Sequence, residues 1–445
     1  MTTKMFHGRR LSARILAVAA VSACAGLLAG CSASAPQSSA ASGPTGALQI
    51  LIGSNDGSNA GFKAIDAAFE KKYPKVKIVL DSVPDQSYAS AESSRLTAGN
   101  VDIVTTSIAP VPSYAKSAAS SDTQLAQSGG FVNLTKESFM KRIIPSLLTT
   151  YGIKGQQYAV PLGTGYVSGA FYNKALFAKY HLTVPTTWSK FVSDANVFES
   201  HGISMLGIGG KDSWPAGLPM LSAVQGYYPS TADKIALAKA LWTQSTKFTD
   251  TKPLAVLSRV EQIYKYAEPN FAGVPYASIA SGFAAGKYAM APDVSVNETT
   301  IAAAVGSKFQ FGYVPLPTSD IAANNDSLNG AVTFELSIPK SSPNQAAALA
   351  YLDFFTEPAQ YKVFVKDFGT APAETGIAAG AFLDSISQYT KTYESGWLDP
   401  NVFVPNPKAG EAASSGFNYT ALTPMGSDTA QQAAAAAQQA WAAGF

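Results

Sequence analysis

The sequence predicts an α/β protein of two lobes, each a mostly parallel sheet flanked by helices, and three observations lead to this fold class. A chain of 445 residues is long for a single hydrophobic core. Its folded part begins with a strand, a helix and a strand, the pattern of a βαβ unit. A glycine-interrupted extended run at residues 158–174 is suited to a crossing between two rigid bodies.

The start of the chain has the pattern of a bacterial signal peptide. Four basic residues precede an uncharged apolar run at residues 15–29. A membrane anchor is the alternative, but the run is shorter than the roughly 20 residues that span a bilayer. We therefore predict a signal peptide at residues 1–30. Its removal takes away four basic residues and no acidic one, so the formal net charge changes from +2 to −2.

The predicted βαβ unit opens the first lobe. Residues 47–52 and 76–80 are expected to be strands, and residues 59–72 place apolar side chains along one helical face. This arrangement makes the two strands parallel, joined by a right-handed crossover. A further short strand is predicted at residues 101–105.

Polar side chains follow two of these strands. Asn55 and Asp56 come after the first strand, and Thr106 and Ser107 come after the third. Because ligands of open α/β sheets bind beyond the carboxyl ends of the strands, we expect these four side chains to face a ligand. A role for Asp56 as a turn or cap residue is the alternative.

The run at residues 158–174 is the predicted first crossing between the lobes. Its first part alternates like a strand, Gly163 and Gly165 free the backbone, and a second extended segment follows at residues 169–173. An ordinary hairpin or bulge is the alternative. Residues 287–295 look like a return strand into the first lobe, and residues 334–338 resemble the second return strand of a known family, which gives three crossings. The predicted lobes are therefore discontinuous: residues 47–161 and 292–337 in lobe 1, and residues 162–291 and 338–445 in lobe 2.

The segment YAVPLGTGYVSGAFYNKALF at residues 158–177, followed by VPTTW at residues 184–188, resembles a known signature. It is similar to the centre of the extracellular solute-binding lipoproteins of ABC importers, in their carbohydrate-binding (family 1) branch. The resemblance extends over nearly the whole mature chain. It implies a periplasmic-binding-protein-like fold of class II type. It also implies that a neutral mono- or oligosaccharide is captured between the lobes and delivered to the permease subunits.

The tetrapeptide that ends in Cys31 resembles a bacterial lipobox. This resemblance implies that the thiol of Cys31 carries lipid and holds the protein on the outer face of the cell membrane, with residues 31–46 as a flexible tether. Cys24 leaves with the signal peptide, so no thiol remains for a disulfide, a metal or nucleophilic chemistry.

A neutral sugar needs hydrogen-bonding groups for its hydroxyls and an aromatic plane for its C–H face. Besides the polar residues named above, Asp293 and Glu335 are predicted to bind hydroxyls. Tyr166, Trp214 and Phe334 are predicted to supply planes. Trp214 lies in a polar loop, where an indole has little reason to be unless a ligand covers it. The match to the family is loose at residues 329–335, where relatives often carry glycine and tryptophan.

Enzyme chemistry is poorly supplied by this sequence. The S-x-x-K pattern occurs at residues 113–116 and 138–141, but no S-D-N or K-T-G follows. The mature chain keeps two histidines, His181 and His201, and has no H-E-x-x-H motif. Paired carboxylates of a glycosidase are the remaining enzymatic alternative. We predict no catalytic activity, no cofactor and no metal.

Other cargoes of the same fold are the second alternative. An iron-binding relative would use tyrosines, and a glycerophosphodiester would need an arginine in the cleft. Arg95, Arg142 and Arg259 are the arginines of the mature chain, and none lies in a predicted ligand loop. The mature chain also lacks the basic surface of a nucleic-acid-binding protein. We expect a monomer that binds a neutral sugar.

Overall fold

The computed structural model describes residues 43–53 and 56–445. The predicted signal peptide, Cys31, most of the predicted tether and Asn55 lie outside the described residues. Pro44–Phe445 forms one compact unit.

Ten strands in the described residues form two sheets. They are β1 Gly46–Gly53, β2 Val76–Val83, β3 Ile103–Thr106, β4 Val160–Tyr166, β5 Gly169–Asn173, β6 Ser204–Leu206, β7 Tyr288–Pro292, β8 Phe311–Pro315, β9 Asn329–Ser337 and β10 Glu394–Ser395. The first sheet has the order β10-β9-β3-β1-β2, with β4 also paired to β9. The second sheet has the order β6-β7-β5-β8. Two separate sheets define two lobes, as predicted.

Fifteen α-helices cover these sheets in the described part of the chain. They are α1 Asp56–Lys72, α2 Asp85–Ala98, α3 Ser121–Gln127, α4 Pro145–Tyr151, α5 Lys174–Lys179, α6 Trp188–Ser200, α7 Leu218–Tyr227, α8 Thr231–Trp242, α9 Thr251–Tyr264, α10 Ile279–Ala284, α11 Glu298–Val305, α12 Gln345–Phe355, α13 Pro358–Phe368, α14 Ala381–Ser385 and α15 Ala430–Ala443. None of these described helices has the length and hydropathy needed to cross a membrane.

The predicted βαβ unit is confirmed. Strand β1 pairs in parallel with β2 along its whole length, and it also pairs in parallel with β3. The intervening helix α1 buries Phe62, Ile65 and Phe69 completely. Their spacing of three and four residues places the three side chains on one face of the helix, which packs on the sheet.

The sheets are mixed, whereas the sequence predicted mostly parallel ones. Strands β3 and β4 both run antiparallel to β9. In the second sheet β5 is antiparallel to both of its neighbours, β7 and β8, and the pair β6–β7 is parallel. The physical reason is connectivity. Strands β9 and β5 enter their sheets from the other lobe, so no helical crossover requires them to be parallel.

Two helices belong to a different lobe from the one predicted. Residues 338–445 were all assigned to lobe 2, but α12 and α13 cover the first sheet and pack on α1. The ring centroids of Phe62 and Phe364 lie 5.4 Å apart, and those of Phe69 and Tyr351 lie 5.2 Å apart. The apolar face of α1 is completed by these helices, which follow β9 directly out of the same sheet.

A second segment also differs from the predicted boundaries. Residues 292–337 were assigned to lobe 1, yet β8 pairs with β5 in the second sheet. Strand β7, predicted as a return into lobe 1, lies between β6 and β5 in that same sheet. The chain changes lobes between β4 and β5, between β8 and β9, and again after α13. The second of these is later in the chain than predicted, and β10 adds a further return to the first sheet by pairing with β9.

The first two crossings are hydrogen-bonded to each other. The backbone N–H of Val167 donates to the carbonyl of Asn329 at 2.8 Å, and that of Leu316 donates to the carbonyl of Ser168 at 3.1 Å. The hydroxyl of Ser168 accepts the N–H of Asn329 at 2.9 Å. These bonds join the two segments, which we together call the hinge.

Gly169→Ala is expected to destabilise this hinge. A Cβ atom at Gly169 would lie 2.4 Å from the ring of Tyr313. That ring is buried, and its hydroxyl donates to the carbonyls of Tyr166 at 2.9 Å and Asp293 at 2.8 Å. Displacing the ring should cost about 1–3 kcal/mol of unfolding free energy, measured by thermal or urea denaturation. The control Gly273→Ala places its Cβ in open space. Equal stability of the two variants would contradict the prediction.

Candidate ligand-binding cleft

A cleft of about 990 Å³ is lined from both lobes. Pro84 lines it from the first lobe, directly after β2, and Val294, Val296 and Asn297 line it after β7. The remaining lining residues come from three loops of the second lobe: Asp212, Ser213, Trp214, Pro275, Tyr276, Ala277, Glu411, Ser414, Ser415, Asn418, Tyr419 and Thr420. The cleft volume lies at the upper end of the range for small-molecule sites.

Trp214 lines the cleft, and its role as a ligand contact stays a prediction. It is 38% exposed, which is unusual for so large an apolar side chain. The preceding residue, Ser213, has a positive φ of 61°, a conformation that L-residues other than glycine rarely adopt. The turn in the loop after β6 therefore holds the indole at the cleft in a specific backbone conformation.

Tyr276 forms the second aromatic wall and was missed by sequence reasoning. Its ring centroid lies 4.6 Å from that of Trp214, with an angle of 61° between the ring planes. The backbone N–H of Tyr276 donates to Asp212 Oδ2 at 2.7 Å. Its hydroxyl lies 3.0 Å from both carboxylate oxygens of Asp293. The reasoning applied to Trp214, an aromatic residue in a loop, could also have identified Tyr276.

Asp293 lies behind this aromatic wall. It is 2% exposed and does not line the cleft. Its Oδ1 accepts hydrogen bonds from Asn297 Nδ2 at 2.7 Å and from the backbone N–H of Val294 at 2.8 Å. Burial raises the pKa of Asp293 to about 6, although the donors around it act in the opposite direction. The sequence predicted a direct ligand contact, whereas the structure places a tyrosine between Asp293 and the cleft.

Tyr419 adds a third aromatic side chain to the cleft, also missed from sequence. A Cβ atom at Gly217 would lie 2.8 Å from its ring, so the ring rests against the turn that carries Trp214. Polar groups flank it, including Asn418 and Glu411. Tyr419 could have been predicted from the sequence, because it is an aromatic residue in the polar loop of residues 414–420.

The charge of the cleft is acidic. Two carboxylates, Asp212 and Glu411, are among the described lining residues, and these residues include no lysine, arginine or histidine. An anionic ligand would find no cation here to neutralise it. Aromatic planes with amide, hydroxyl and carboxylate groups suit a neutral ligand that has both apolar faces and hydroxyls.

Comparison with known proteins identifies the family. The family model described as bacterial extracellular solute-binding protein matches residues 53–362, more than half of the chain. The chain belongs to this family. The match includes strands β2 to β9, the hinge and most of the cleft lining, and its members are binding proteins.

Individual relatives of this solute-binding protein are distant in sequence. It is 28% identical over 158 residues to the multiple sugar-binding protein of Streptococcus mutans. That match covers 35% of this chain and 34% of the relative, so the chain matches about a third of the curated relative's length.

Solved structures share the fold over most of the chain. The raffinose complex of the solute-binding protein RafE has a TM-score of 0.71 and 21% identity, covering 88% of this chain and 98% of that one. A stachyose complex of a sugar transporter from Bacillus licheniformis has a TM-score of 0.68 and 17% identity, with coverage of 88% and 98%. A chitin oligosaccharide binding protein has a TM-score of 0.68 and 20% identity, with coverage of 89% and 99%. At these identities the likeness shows the fold.

The predicted polar residues of the first lobe form hydrogen bonds with other residues of the protein. Glu335 is 4% exposed and accepts the backbone N–H of Ile108 at 2.9 Å. Burial raises the pKa of Glu335 to about 8. The Thr106 hydroxyl bonds to that of Ser337 at 2.8 Å, and the N–H of Ser107 donates to a carboxylate oxygen of Asp122 at 2.8 Å. None of the three predicted residues lines the cleft. Asp56 is the first residue of α1.

Two predicted aromatic planes pack within the protein. Phe334 makes edge contacts with Phe62 at 6.5 Å and Phe368 at 5.3 Å between ring centroids, against the first-lobe core. Tyr166 is 9% exposed and belongs to a buried cluster beside the second sheet. Among the predicted ligand contacts whose side chains the structure describes, Trp214 lines the cleft.

Proposed function

We propose that this solute-binding protein is the substrate-binding component of an ABC sugar importer. The observation that carries the proposal is the aromatic corner of Trp214 and Tyr276, set in a cleft whose described lining has no basic side chain. The C–H face of a pyranose stacks on an aromatic plane, and its hydroxyls bond to amides and carboxylates. Asn297, Asn418 and Asp212 provide such groups beside the corner.

The distant relatives support a carbohydrate as cargo. The curated relative is called a multiple sugar-binding protein, and two of the solved structures contain raffinose and stachyose. The cleft of about 990 Å³ offers room for more than one sugar ring. We therefore propose a neutral mono- or oligosaccharide as the ligand.

Capture is proposed to work as a population shift between open and closed lobes. A ligand that contacts both lobes stabilises the closed form, because its affinity for that form is higher. We propose that the lobes rotate as two rigid bodies about the hinge near Ser168, whose two segments are hydrogen-bonded to each other. We propose that Asn55 and Asp56 reach the ligand from the first lobe on closure. The closed form would then be recognised by the permease subunits.

The cellular setting belongs to the same proposal. The predicted signal peptide at residues 1–30 and the lipobox at Cys31 support a protein held by lipid on the outer face of the cell membrane. We propose that it acts there as a monomer, without catalysis and without a cofactor. We propose that the protein releases the sugar, chemically unchanged, to the permease.

A thermal-shift screen tests the proposed cargo. The purified protein is expected to gain roughly 2.7 kcal/mol of stability with a sugar at about 100 times its dissociation constant. That gain would raise the melting temperature by a few degrees. Raffinose, stachyose, galactose and chitin oligosaccharides form the panel, with glycerophosphocholine and Fe(III) citrate as competing cargoes. Stabilisation by a competing cargo alone would contradict the sugar proposal, as would hydrolysis of the stabilising sugar.

A further inference from the structure

We propose that Asp293 and Asn297 are positioning residues that hold the ring of Tyr276 in the cleft wall. In this role they set the angle between the rings of Trp214 and Tyr276, which form the aromatic corner. Asp293 itself does not contact the ligand. The effect on sugar affinity rests on the function proposed above. The effect on the corner itself does not, because the corner exists without a ligand.

Tyr276 is held at both of its ends. Its backbone N–H donates to Asp212 Oδ2 at 2.7 Å, and its hydroxyl is 3.0 Å from each oxygen of Asp293. Asn297 Nδ2 donates to the same hydroxyl and, at 2.7 Å, to Asp293 Oδ1. A ring fixed at its backbone and at its hydroxyl cannot swing away from Trp214 without breaking a buried hydrogen bond.

The burial of Asp293 makes this attachment strong. Asp293 is 2% exposed, so its carboxylate is shielded from water. A hydrogen bond to an ionised acceptor is stronger than one between two neutral groups. The N–H of Val294 and the amide of Asn297 hold the carboxylate itself in place. Replacing the carboxylate by an amide would remove the charge. With the amide oxygen at the Oδ1 position, its NH2 group would face the hydroxyl of Tyr276, which could then no longer donate to that atom.

The attachment also determines which surface the ligand meets. Because the hydroxyl of Tyr276 is engaged with Asp293, the ring is left to contact the ligand. The ring meets Trp214 at 61°, so the two side chains form an apolar corner. Such a corner selects ligands with an exposed C–H face, and its selectivity depends on the angle between the rings.

The protonation of Asp293 gives the attachment a pH dependence. Burial raises the pKa of Asp293 to about 6, so the carboxylate gains a proton at mildly acidic pH and weakens as an acceptor. The titratable groups that face it are Tyr276, Tyr288 on β7 and Tyr313 on β8. Burial raises the pKa of all three tyrosines, so they remain neutral between pH 5 and 8. Glu268 lies beyond Tyr288, and burial raises its pKa as well.

A measurement without ligand tests the positioning role. Trp214 is 38% exposed, whereas Trp188, Trp242, Trp397 and Trp441 are each at most 9% exposed, so acrylamide quenching reports mainly on Trp214. In the unchanged protein the quenching constant is expected to rise below a midpoint near pH 6, as the corner loosens. In Asp293→Asn and in Tyr276→Phe the quenching constant should be higher than in the unchanged protein and should not change with pH. A quenching constant that is the same in the unchanged protein and in both variants would overturn the proposal.

A double-mutant cycle tests the effect on binding, with raffinose and stachyose as probes. Asp293→Asn and Tyr276→Phe are each expected to weaken binding about tenfold, and the double variant no more than either single one. Additive losses, or affinity unchanged in both single variants, would overturn the coupling. If neither sugar binds the unchanged protein, the cycle uses the sugar that stabilises it in the thermal-shift screen. If no sugar of that panel binds, the proposed cargo is wrong, and the quenching measurement alone decides the positioning role.

Asp66→Asn is the matched control. Asp66 is a buried aspartate of the first lobe that accepts the hydroxyl of Tyr351 at 2.6 Å, the same kind of pair away from the cleft. Its variant should lower stability while keeping raffinose affinity and the pH profile of quenching. If Asp293→Asn does not fold, Tyr276→Phe carries both measurements, since it removes one hydroxyl and keeps the ring. Loss of affinity in Asp66→Asn would show that any buried aspartate has this effect and would overturn the proposal.

Discussion

Raising the pH from 5 to 8 is expected to lower the free energy of unfolding by several kcal/mol. Burial raises the pKa of Glu92 and of Glu335 to about 8, from an ordinary value of 4.5. Each unit of pKa difference between the folded and unfolded states is worth about 1.4 kcal/mol. Glu92 and Glu335 therefore contribute strongly to the pH dependence of stability in this range, in the same direction as Glu374, whose pKa burial also raises to about 8, and Asp66, whose pKa it raises to about 7.

The structure explains why these carboxyl groups retain their protons. Glu92 is 6% exposed, and its Oε1 is buried with no hydrogen-bond partner among the described residues. Asp122 is 9% exposed, and its negative charge opposes ionisation of both Glu92 and Glu335. The backbone N–H of Ile108 donates to Glu335, but this hydrogen bond lowers the pKa of Glu335 by less than burial raises it. A protonated carboxyl group avoids both desolvation of a charge and repulsion within the cluster.

The direction of the effect follows from proton binding. An unfolded glutamate releases its proton near pH 4.5, whereas these two release theirs near pH 8 in the folded protein. Between these values the folded state binds more protons than the unfolded state, so stability falls as pH rises. The stability is fully present below pH 4.5 and is lost as pH rises through about 8. Buried Lys234, whose pKa is lowered to about 8, acts with the opposite sign above that pH.

Glu92→Gln and Glu335→Gln test this expectation, because an amide resembles the protonated acid in shape and stays neutral. Urea denaturation between pH 5 and 8 should show a shallower slope of stability for each variant. The control Glu70→Gln replaces a glutamate whose pKa is lowered by the N–H of Ile78, and it should keep the slope in this window. A slope as steep as that of the unchanged protein in both buried variants would contradict the assignment.

Local patterns in the sequence were sufficient to predict the first lobe's opening unit. The spacing of Phe62, Ile65 and Phe69 defines a helical face, and the short strands on either side permit only a parallel pair joined by a right-handed crossover. The exposed Trp214 was predicted for a similar reason, since a large ring in a polar loop has no local partner. In each case the deciding information lies within a few residues of the feature.

Features that depend on distant pairing could not be predicted in this way. Glu335 and Asp293 are polar residues near strand ends, which is typical of ligand contacts, but burial is decided by Ile108 and Tyr276 from other parts of the chain. The assignment of α13 to the first lobe depends likewise on Phe364 meeting Phe62 across a separation of about 300 residues. Neither the period of a helix nor a short motif carries this information.

Trp214→Ala is expected to weaken binding of the sugar found by the thermal-shift screen roughly thirtyfold, or about 2 kcal/mol. The indole offers the largest exposed apolar plane of the cleft, and Tyr276 alone would leave the C–H face of a sugar partly in water. Isothermal titration calorimetry measures the change.

Trp214→Phe separates loss of the plane from loss of the fold, because a smaller ring should restore part of the affinity lost in Trp214→Ala. Ile321→Ala is the second control, since Ile321 is 63% exposed and lies outside the cleft lining. Both alanine variants should melt close to the unchanged protein, because each removes a side chain that is already partly in water. A Trp214→Ala variant that binds the sugar as tightly as Ile321→Ala would show that the aromatic corner is not the sugar-binding surface.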